Sequence, residues 1–265
     1  MNQPLKINLT NELLELENFI IHRSCDIEQW FRIQWLENQA PFYGSVDLRN
    51  SGFKLAPVDM NLFPGGFNNL NPDFAPLAVQ AASVAIEKVC PEAKKVLIIP
   101  EKHTRNLFYL KNLFQFKEIL KNSGLEVRIG TVDSNILEAT DILIDDHQSI
   151  TLEPIQRRDD ILYIKDRDGT EFVPCSVILN NDLSGGVPEK IKDIGQQVIP
   201  PIYAGWPTRR KSSHFRYYSQ VAKEFSLLTK CDPWLIDPLF KKIDNLDFST
   251  REGEDKLVET IDNLL

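Results

Sequence analysis

The sequence predicts an α/β fold: a mostly parallel open sheet flanked by helices, with a β-hairpin insertion. Three observations carry that expectation. Short continuous apolar runs, of which Lys95-Val96-Leu97-Ile98-Ile99 is the clearest, read as strands buried on both faces. Segments of helical period alternate with those runs, as βα units and a parallel sheet require. Finally, Ile161-Leu162-Tyr163-Ile164 and Thr170-Glu171-Phe172-Val173 flank Asp166-Arg167-Asp168-Gly169, which reads as a hairpin.

Taken in order, residues 11–39 space Leu13, Leu16, Phe19, Ile20, Trp30, Phe31, Ile33, Trp35 and Leu36 at a mostly helical period. Thr10 or Asn11 is the expected cap, with a break near Arg23-Ser24-Cys25 and a restart at Asp26. The aromatic side chains there are expected in a core or an interdomain contact. Residues 76–89, rich in Ala and Val, read as a buried helix. After the strand at 95–99, Thr104 is the expected cap of a helix that Gly124 closes. Leu125-Glu126-Val127-Arg128-Ile129, Asp141-Ile142-Leu143-Ile144 and Ser176-Val177-Ile178-Leu179 are further strands. A helix is expected over 213–228. Another, short, is expected from Asp232-Pro233 through Phe240, and a last one over 252–265 carries Leu257, Val258, Ile261, Leu264 and Leu265 on one face.

Composition narrows the function. The 265 residues suffice for one large or two modest domains, and a net charge of -8 argues against general affinity for nucleic acid. No apolar run is long enough to span a membrane and no secretory leader is recognisable, so the expected location is the cytoplasm. Cys25, Cys90, Cys175 and Cys231 are far apart, and the four histidines are equally scattered, so separate reduced thiols and no metal site are expected. Walker, dinucleotide and hydrolase-elbow motifs are absent.

The residues of chemical interest crowd into 41–72, PFYGSVDLRNSGFKLAPVDMNLFPGGFNNLNP. Alternation in Ser45-Val46-Asp47-Leu48-Arg49 and Phe53-Lys54-Leu55 predicts a hairpin turning at Asn50-Ser51-Gly52. The Pro64-Gly65-Gly66 loop that follows brings backbone N–H groups suited to carboxylate or phosphate. Two polar clusters, Glu101-Lys102-His103-Thr104-Arg105-Asn106 and Asn180-Asn181-Asp182-Leu183-Ser184-Gly185-Gly186, follow predicted strands, where open α/β sheets collect ligands. Thr208-Arg209-Arg210-Lys211 supplies guanidinium groups that suit bidentate anion binding.

FYGSVDLRNSGFKLAPVDMNLFPGGFNNL (42–70), ILNNDLSG (178–185), GWPTRRKSSHF (205–215) and DPWLI (232–236) resemble a bacterial type of glutamate-cysteine ligase, γ-glutamylcysteine synthetase, over essentially the whole chain. The resemblance implies the first step of glutathione biosynthesis, with L-glutamate, L-cysteine and ATP as partners, Mg2+ as the metal, and a fold like the N-terminal part of an ATP-grasp-type ligase. It leaves room for a homo-oligomer. The expected domains are an N-terminal helical segment at 1–40, an α/β substrate-side domain at 41–205 and a helical segment at 206–265 leading towards an ATP-grasp portion. The family's KADAGTYGMGI-like segment has no counterpart here, so the chain alone is expected to be inactive and the nucleotide site to lie outside it. On matched motif positions the chemistry assigns Arg49 and Lys54 to catalysis, holding a substrate carboxylate or an acyl phosphate. Asp47, Asp59, Asn61, Asn68, Asn69, Asn181 and Asp182 are assigned to substrate, and Arg209, Arg210 and Lys211 to phosphate. The rival readings are a non-catalytic amino-acid binding module and a structural fragment of the ligase.

Overall fold

The computed structural model describes residues 11–63, 65–102 and 106–264. In chain order its elements are α1 (Asn11–His22), α2 (Ser24–Glu37), β1 (Ser45–Asn50), β2 (Leu55–Asn61), α3 (Ala75–Val89), β3 (Lys95–Pro100), α4 (Leu107–Asn122), β4 (Glu126–Thr131), β5 (Thr140–Leu143), β6 (Ser149–Pro154), β7 (Gln156–Arg158), β8 (Ile161–Lys165), β9 (Glu171–Phe172), β10 (Ser176–Asn180), β11 (Gln197–Ile199), α5 (Lys211–Thr229) and α6 (Arg251–Asp262). Two compact units result: one of Met1–Gln39, Val46–Met60 and Arg210–Leu265, the other of Ala40–Ser45 and Asn61–Arg209.

The second unit is an α/β body. Its six-stranded sheet runs β11-β10-β3-β4-β6-β5 and is parallel except at β5, which pairs antiparallel with β6 along one edge. In β3, Val96, Leu97, Ile98 and Ile99 are all fully buried. Because side chains alternate along a strand, Val96 and Ile98 join a core with Leu110, Leu113 and Phe116 of α4 and Ile86 of α3. Leu97 and Ile99 face the other way, into a core with Leu162, Ile164 and Phe172. Those residues belong to a three-stranded antiparallel sheet, β7-β8-β9. The sheet therefore carries helices on one face and the predicted hairpin on the other. Each buried aliphatic side chain contributes about 2 kcal/mol, which is why the four-residue aliphatic run at 96–99 holds as a central strand.

Arg128 fastens the hairpin to the sheet. It lies 4.8 Å from the Phe172 ring, donates to both carboxylate oxygens of Asp166 at 2.6 and 3.0 Å, and reaches Glu153 at 3.2 Å. The guanidinium holds the Asp166 carboxyl below its ordinary range, whereas burial pushes Glu153 up.

Several expectations need correction. Strands β6, β7 and β11 had no sequence reading, and the predicted strand at 141–144 is the antiparallel edge β5. The described cap of α4 is Asn106, whose side chain accepts from the backbone N–H of Phe108 and Tyr109; the expected caps Thr104 and Thr10 lie outside the described residues. Helix α3 is not buried: only Ile86 is, while Leu77 and Val84 are exposed. Its apolar composition comes largely from alanine, whose small side chain needs little covering. The expected helix from Asp232 through Phe240 is a single 3-10 turn, Pro233–Leu235, capped by Asp232. Pro238 disfavours helical backbone at Asp237 and ends it.

The first unit has a thin core. Leu13, Leu16, Ile27, Ala56 and Ala222 are its buried apolar residues, and Trp30 packs edge-on to Phe225 at 5.8 Å. Phe31 and Trp35, expected in a core or an interdomain contact, are exposed and so lie outside this core, and Val258 and Ile261 on α6 are exposed as well. Thr250 caps α6 through the Gly253 N–H. Among the described residues no helix is long and apolar enough to cross a membrane.

Two outcomes test this packing. A methyl group at Gly130 would meet Ile155 Cγ1 at 2.6 Å, so Gly130→Ala is expected to cost about 1–3 kcal/mol in denaturant unfolding. The depressed carboxyl of Asp166 contributes stability that is present above the unfolded-state value and lost as pH falls through the folded one. Glu153, raised by burial, acts oppositely, its contribution being lost as pH rises through the folded value. Asp166→Asn should flatten the fall in melting temperature below about pH 4; an unchanged acid limb would contradict the Arg128 anchor.

Candidate functional site

In the α/β unit the chain leaves β3 through α4 to reach β4 on one side, while β10 flanks β3 on the other. The sheet order therefore reverses between the carboxyl ends of β3 and β10, where open α/β sheets bind ligands. The register sets Asn180 beside Pro100. Immediately beyond them, the Asp182 N–H donates to Glu101 Oε1 at 2.8 Å. Asn181 is occupied by its own turn, accepting from the Leu183 N–H at 2.9 Å and donating to the Pro100 carbonyl at 3.3 Å. Asp182 Oδ1 accepts from the Ser184 N–H, and its carbonyl accepts from the Trp206 N–H at 2.7 Å. That last bond stitches the Gly205-Trp206-Pro207 segment to the strand end.

One stripe of α4 organises what surrounds these ends. Tyr109, Asn112 and Phe116 lie at i, i+3 and i+7, a single helical face. The Tyr109 hydroxyl accepts from the Glu101 N–H at 2.7 Å and donates to the Asn180 carbonyl at 2.9 Å. Asn112 accepts from the Phe67 N–H at 3.0 Å and donates to Asn180 Oδ1 at 3.4 Å. Phe116 stacks on Phe67 at 4.5 Å and on Tyr43 at 5.5 Å. The Tyr43 hydroxyl donates to the Leu179 carbonyl. Burial raises both phenols above their usual range, so they serve here as neutral hydrogen-bonding groups. Gly66 takes φ 87°, a conformation that side chains disfavour, as the loop turns into the Phe67–Asn69 3-10 turn. Asn68 and Asn69 ride on that turn, with Asn68 donating to Asn69 at 3.2 Å. Asn61 sits apart, capping its own turn through the Phe63 N–H at 2.8 Å.

In the other unit the hairpin forms as expected, with its turn one step later. The Ser51 N–H donates to the Lys54 carbonyl at 3.0 Å, Gly52 takes φ 91°, and β2 begins at Leu55. The turn packs on the DPWLI motif: Phe53 stacks on Trp234 at 5.8 Å, and the Lys54 ammonium lies 4.8 Å from the same ring. Lys211 pairs with Asp59 at 3.4 Å. Asp47 and Arg49 are exposed on β1, two residues apart and so on one face. Arg210 is the first flanking residue of α5, and Arg209, which belongs to the α/β unit, closes the preceding turn through Trp206. Three separate sequence motifs thus meet in this unit, through Lys54 with Trp234 and Asp59 with Lys211.

The predicted site residues fall into two groups. Asn61, Asn68, Asn69, Asn181, Asp182 and Arg209 lie in the α/β unit, and Asp47, Arg49, Lys54, Asp59, Arg210 and Lys211 in the other. His103, Thr104 and Arg105 lie outside the described residues. Sequence reasoning missed Tyr43, Tyr109 and Asn112. Asn112 left a signal, being the one amide between Leu110, Leu113 and Phe116 on a stripe otherwise suited to a core. Among the described residues no three His, Cys, Asp or Glu side chains converge as a metal ion would need.

A family model described as glutamate-cysteine ligase matches residues 17–265. A crystal structure from Methylobacillus flagellatus KT, which carries the provisional name gamma-glutamylcysteine synthetase, is similar at 51% identity with a TM-score of 0.90. That likeness covers 100% of this chain and 61% of the other, so the present chain spans under two thirds of the protein it matches. A comparison with curated proteins finds no match.

Replacing Tyr109 by Phe would leave the Glu101 N–H and the Asn180 carbonyl without their shared hydroxyl. The expected cost is about 1–3 kcal/mol, read by denaturant unfolding; a variant as stable as the parent would show that the hydroxyl does not join the two strand ends.

Proposed function

The chain belongs to the glutamate-cysteine ligase family, and from that premise we propose that it provides the amino-acid side of an ATP-dependent ligase that forms γ-glutamylcysteine, the first step of glutathione biosynthesis. The observation that carries this reading is the docking of the Gly65–Asn69 loop beside the ends of β3 and β10. L-Glutamate brings an ammonium and two carboxylates, and the groups at that rim suit them. The carboxylates of Glu101 and Asp182 match the ammonium, while the Asn68 and Asn69 amides and the loop N–H groups match a carboxylate. In the other unit Arg49, Lys54, Arg210 and Lys211 are cations of the kind that suits a carboxylate or phosphate, and they are proposed as that unit's own anion-binding groups. Lys54, held against Trp234, is the most constrained of them.

In the proposed reaction ATP phosphorylates the γ-carboxylate, and the amine of L-cysteine attacks the acyl phosphate and expels phosphate. Such transfer depends mainly on positioning and on neutralising charge at the phosphoryl group. Mg2+ would serve that neutralisation; among the described residues no three His, Cys, Asp or Glu side chains converge, and no step is assigned to a metal held by this chain. The residues of this chain hold and orient the amino acid. An ATP-grasp relationship and a cytoplasmic location complete the reading.

Isothermal titration with L-glutamate and with γ-glutamylcysteine tests it. Saturable heat is expected with L-glutamate. Asp182→Asn should weaken that affinity by about 10- to 100-fold, as the loss of a charge-assisted hydrogen bond implies, and Asn68→Ala by less, with melting unchanged in both. Heat with neither ligand, or affinities unaltered in both variants, would contradict the assignment.

A further inference from the structure

We infer that Asn112 is a positioning residue for the amino-acid site: its amide clamps the Gly65–Asn69 loop to the end of β10 and so sets where Asn68 and Asn69 stand relative to Asp182. The inference rests on the proposed reading of that site as an L-glutamate site. Asn112 is only 2% exposed and sits on the face of α4 that otherwise packs Leu110, Leu113 and Phe116 into the core. A buried amide at such a position is costly unless its partners are specific, and both of its partners are. Its oxygen accepts from the Phe67 N–H at 3.0 Å, the first residue of the turn that carries Asn68 and Asn69. Its nitrogen donates to Asn180 Oδ1 at 3.4 Å, in the last residue of β10, next to Asn181 and Asp182. One side chain therefore joins the two segments that would hold the ligand, while touching no ligand-facing group itself.

Neighbouring contacts confine the role to Asn112. The Phe67 ring stacks on Phe116 at 4.5 Å and lies tilted to Tyr43 at 6.1 Å, apolar ring contacts that set the depth of the loop but carry no directional bond to its backbone. Tyr109, one turn earlier, joins Glu101 to Asn180 and never touches the loop. The Phe67 N–H bond to Asn112 is thus the directional link between loop and strand end. A leucine at this position would keep the volume and lose both bonds; an aspartate would keep the acceptor for Phe67.

The test measures amide hydrogen exchange and L-glutamate affinity in the 265-residue protein and in N112L and N112D. In N112L the Phe67 amide is expected to exchange at least tenfold faster, with β3 and β10 amides unchanged, and L-glutamate to bind at least tenfold more weakly. N112D is expected to keep Phe67 protection but, having lost the donor to Asn180, to bind L-glutamate about three- to tenfold more weakly than the parent, a split between loop protection and affinity that a merely structural role would not require. Should N112L fail to fold, N112D against Asn112→Ser provides the same comparison. Unchanged Phe67 exchange in N112L, or lost protection with unchanged affinity, would overturn the inference. No heat from the parent protein with L-glutamate would instead reject the functional reading, and the exchange result would still decide whether Asn112 fixes the loop.

Discussion

The pairing of β3 with β10 is the constraint on which the rest of the α/β unit depends. The central residues of both strands, 96–99 and 177–179, are apolar and buried on both faces, and at their carboxyl ends the polar side chains begin. Chemistry must then appear where the strands stop, and Pro100-Glu101 and Asn180-Asn181-Asp182 stop together because the register aligns them. Parallel pairing also turns both ends the same way, so backbone and side-chain polar groups gather on one rim. The cost of bringing polar groups to the boundary of a dry core is met by mutual satisfaction: Glu101, Tyr109, Asn180 and Asp182 each bond to another member of the rim.

Helix α4 ties that rim to the Gly65–Asn69 loop. Its lower turns pack the sheet with Leu113, Phe116 and Leu120, as any helix over a parallel sheet would. Its first turns carry Tyr109 and Asn112 instead, and these reach the strand ends and the loop. The other unit follows a different logic. It has few buried apolar residues, and the hairpin is held by ring stacking on Trp234 and the Asp59–Lys211 pair. Stacking and exposed ion pairs are individually weak, about 0.5–1 kcal/mol each. The hairpin's charged face is correspondingly open, which suits a surface that meets an anionic ligand.

Much of this was legible in the sequence because apolar runs betray strands that are buried twice over. Strands β3 and β10 announced themselves in that way, β4 was read from the β-branched residues Val127 and Ile129, and the turns at Gly52 and Gly169 showed in their turn residues. Strand β6 escaped because Ser149, Thr151 and Glu153 interrupt its apolar residues, and β7 and β11 are three residues each. The burial assigned to α3 confused apolar composition with a need for cover. The crowded motif at 41–72 and the strand-end clusters carried the family resemblance, which the family match over residues 17–265 bears out, and the ligand proposed for the rim follows from it. The clamps were hidden: Tyr43 and Phe67 read as ordinary aromatic residues, and an asparagine on the apolar face of a helix gives no hint of a partner 45 positions away. Such long-range pairing is set by tertiary packing, which local pattern does not encode.

The most direct measurement is a crystal structure of the protein soaked with L-glutamate. The account predicts density for the amino acid at the ends of β3 and β10, within hydrogen-bonding distance of Asp182 or Glu101 and of Asn68 or Asn69. Density for L-glutamate elsewhere on the molecule, with that rim empty at saturating ligand, would contradict it.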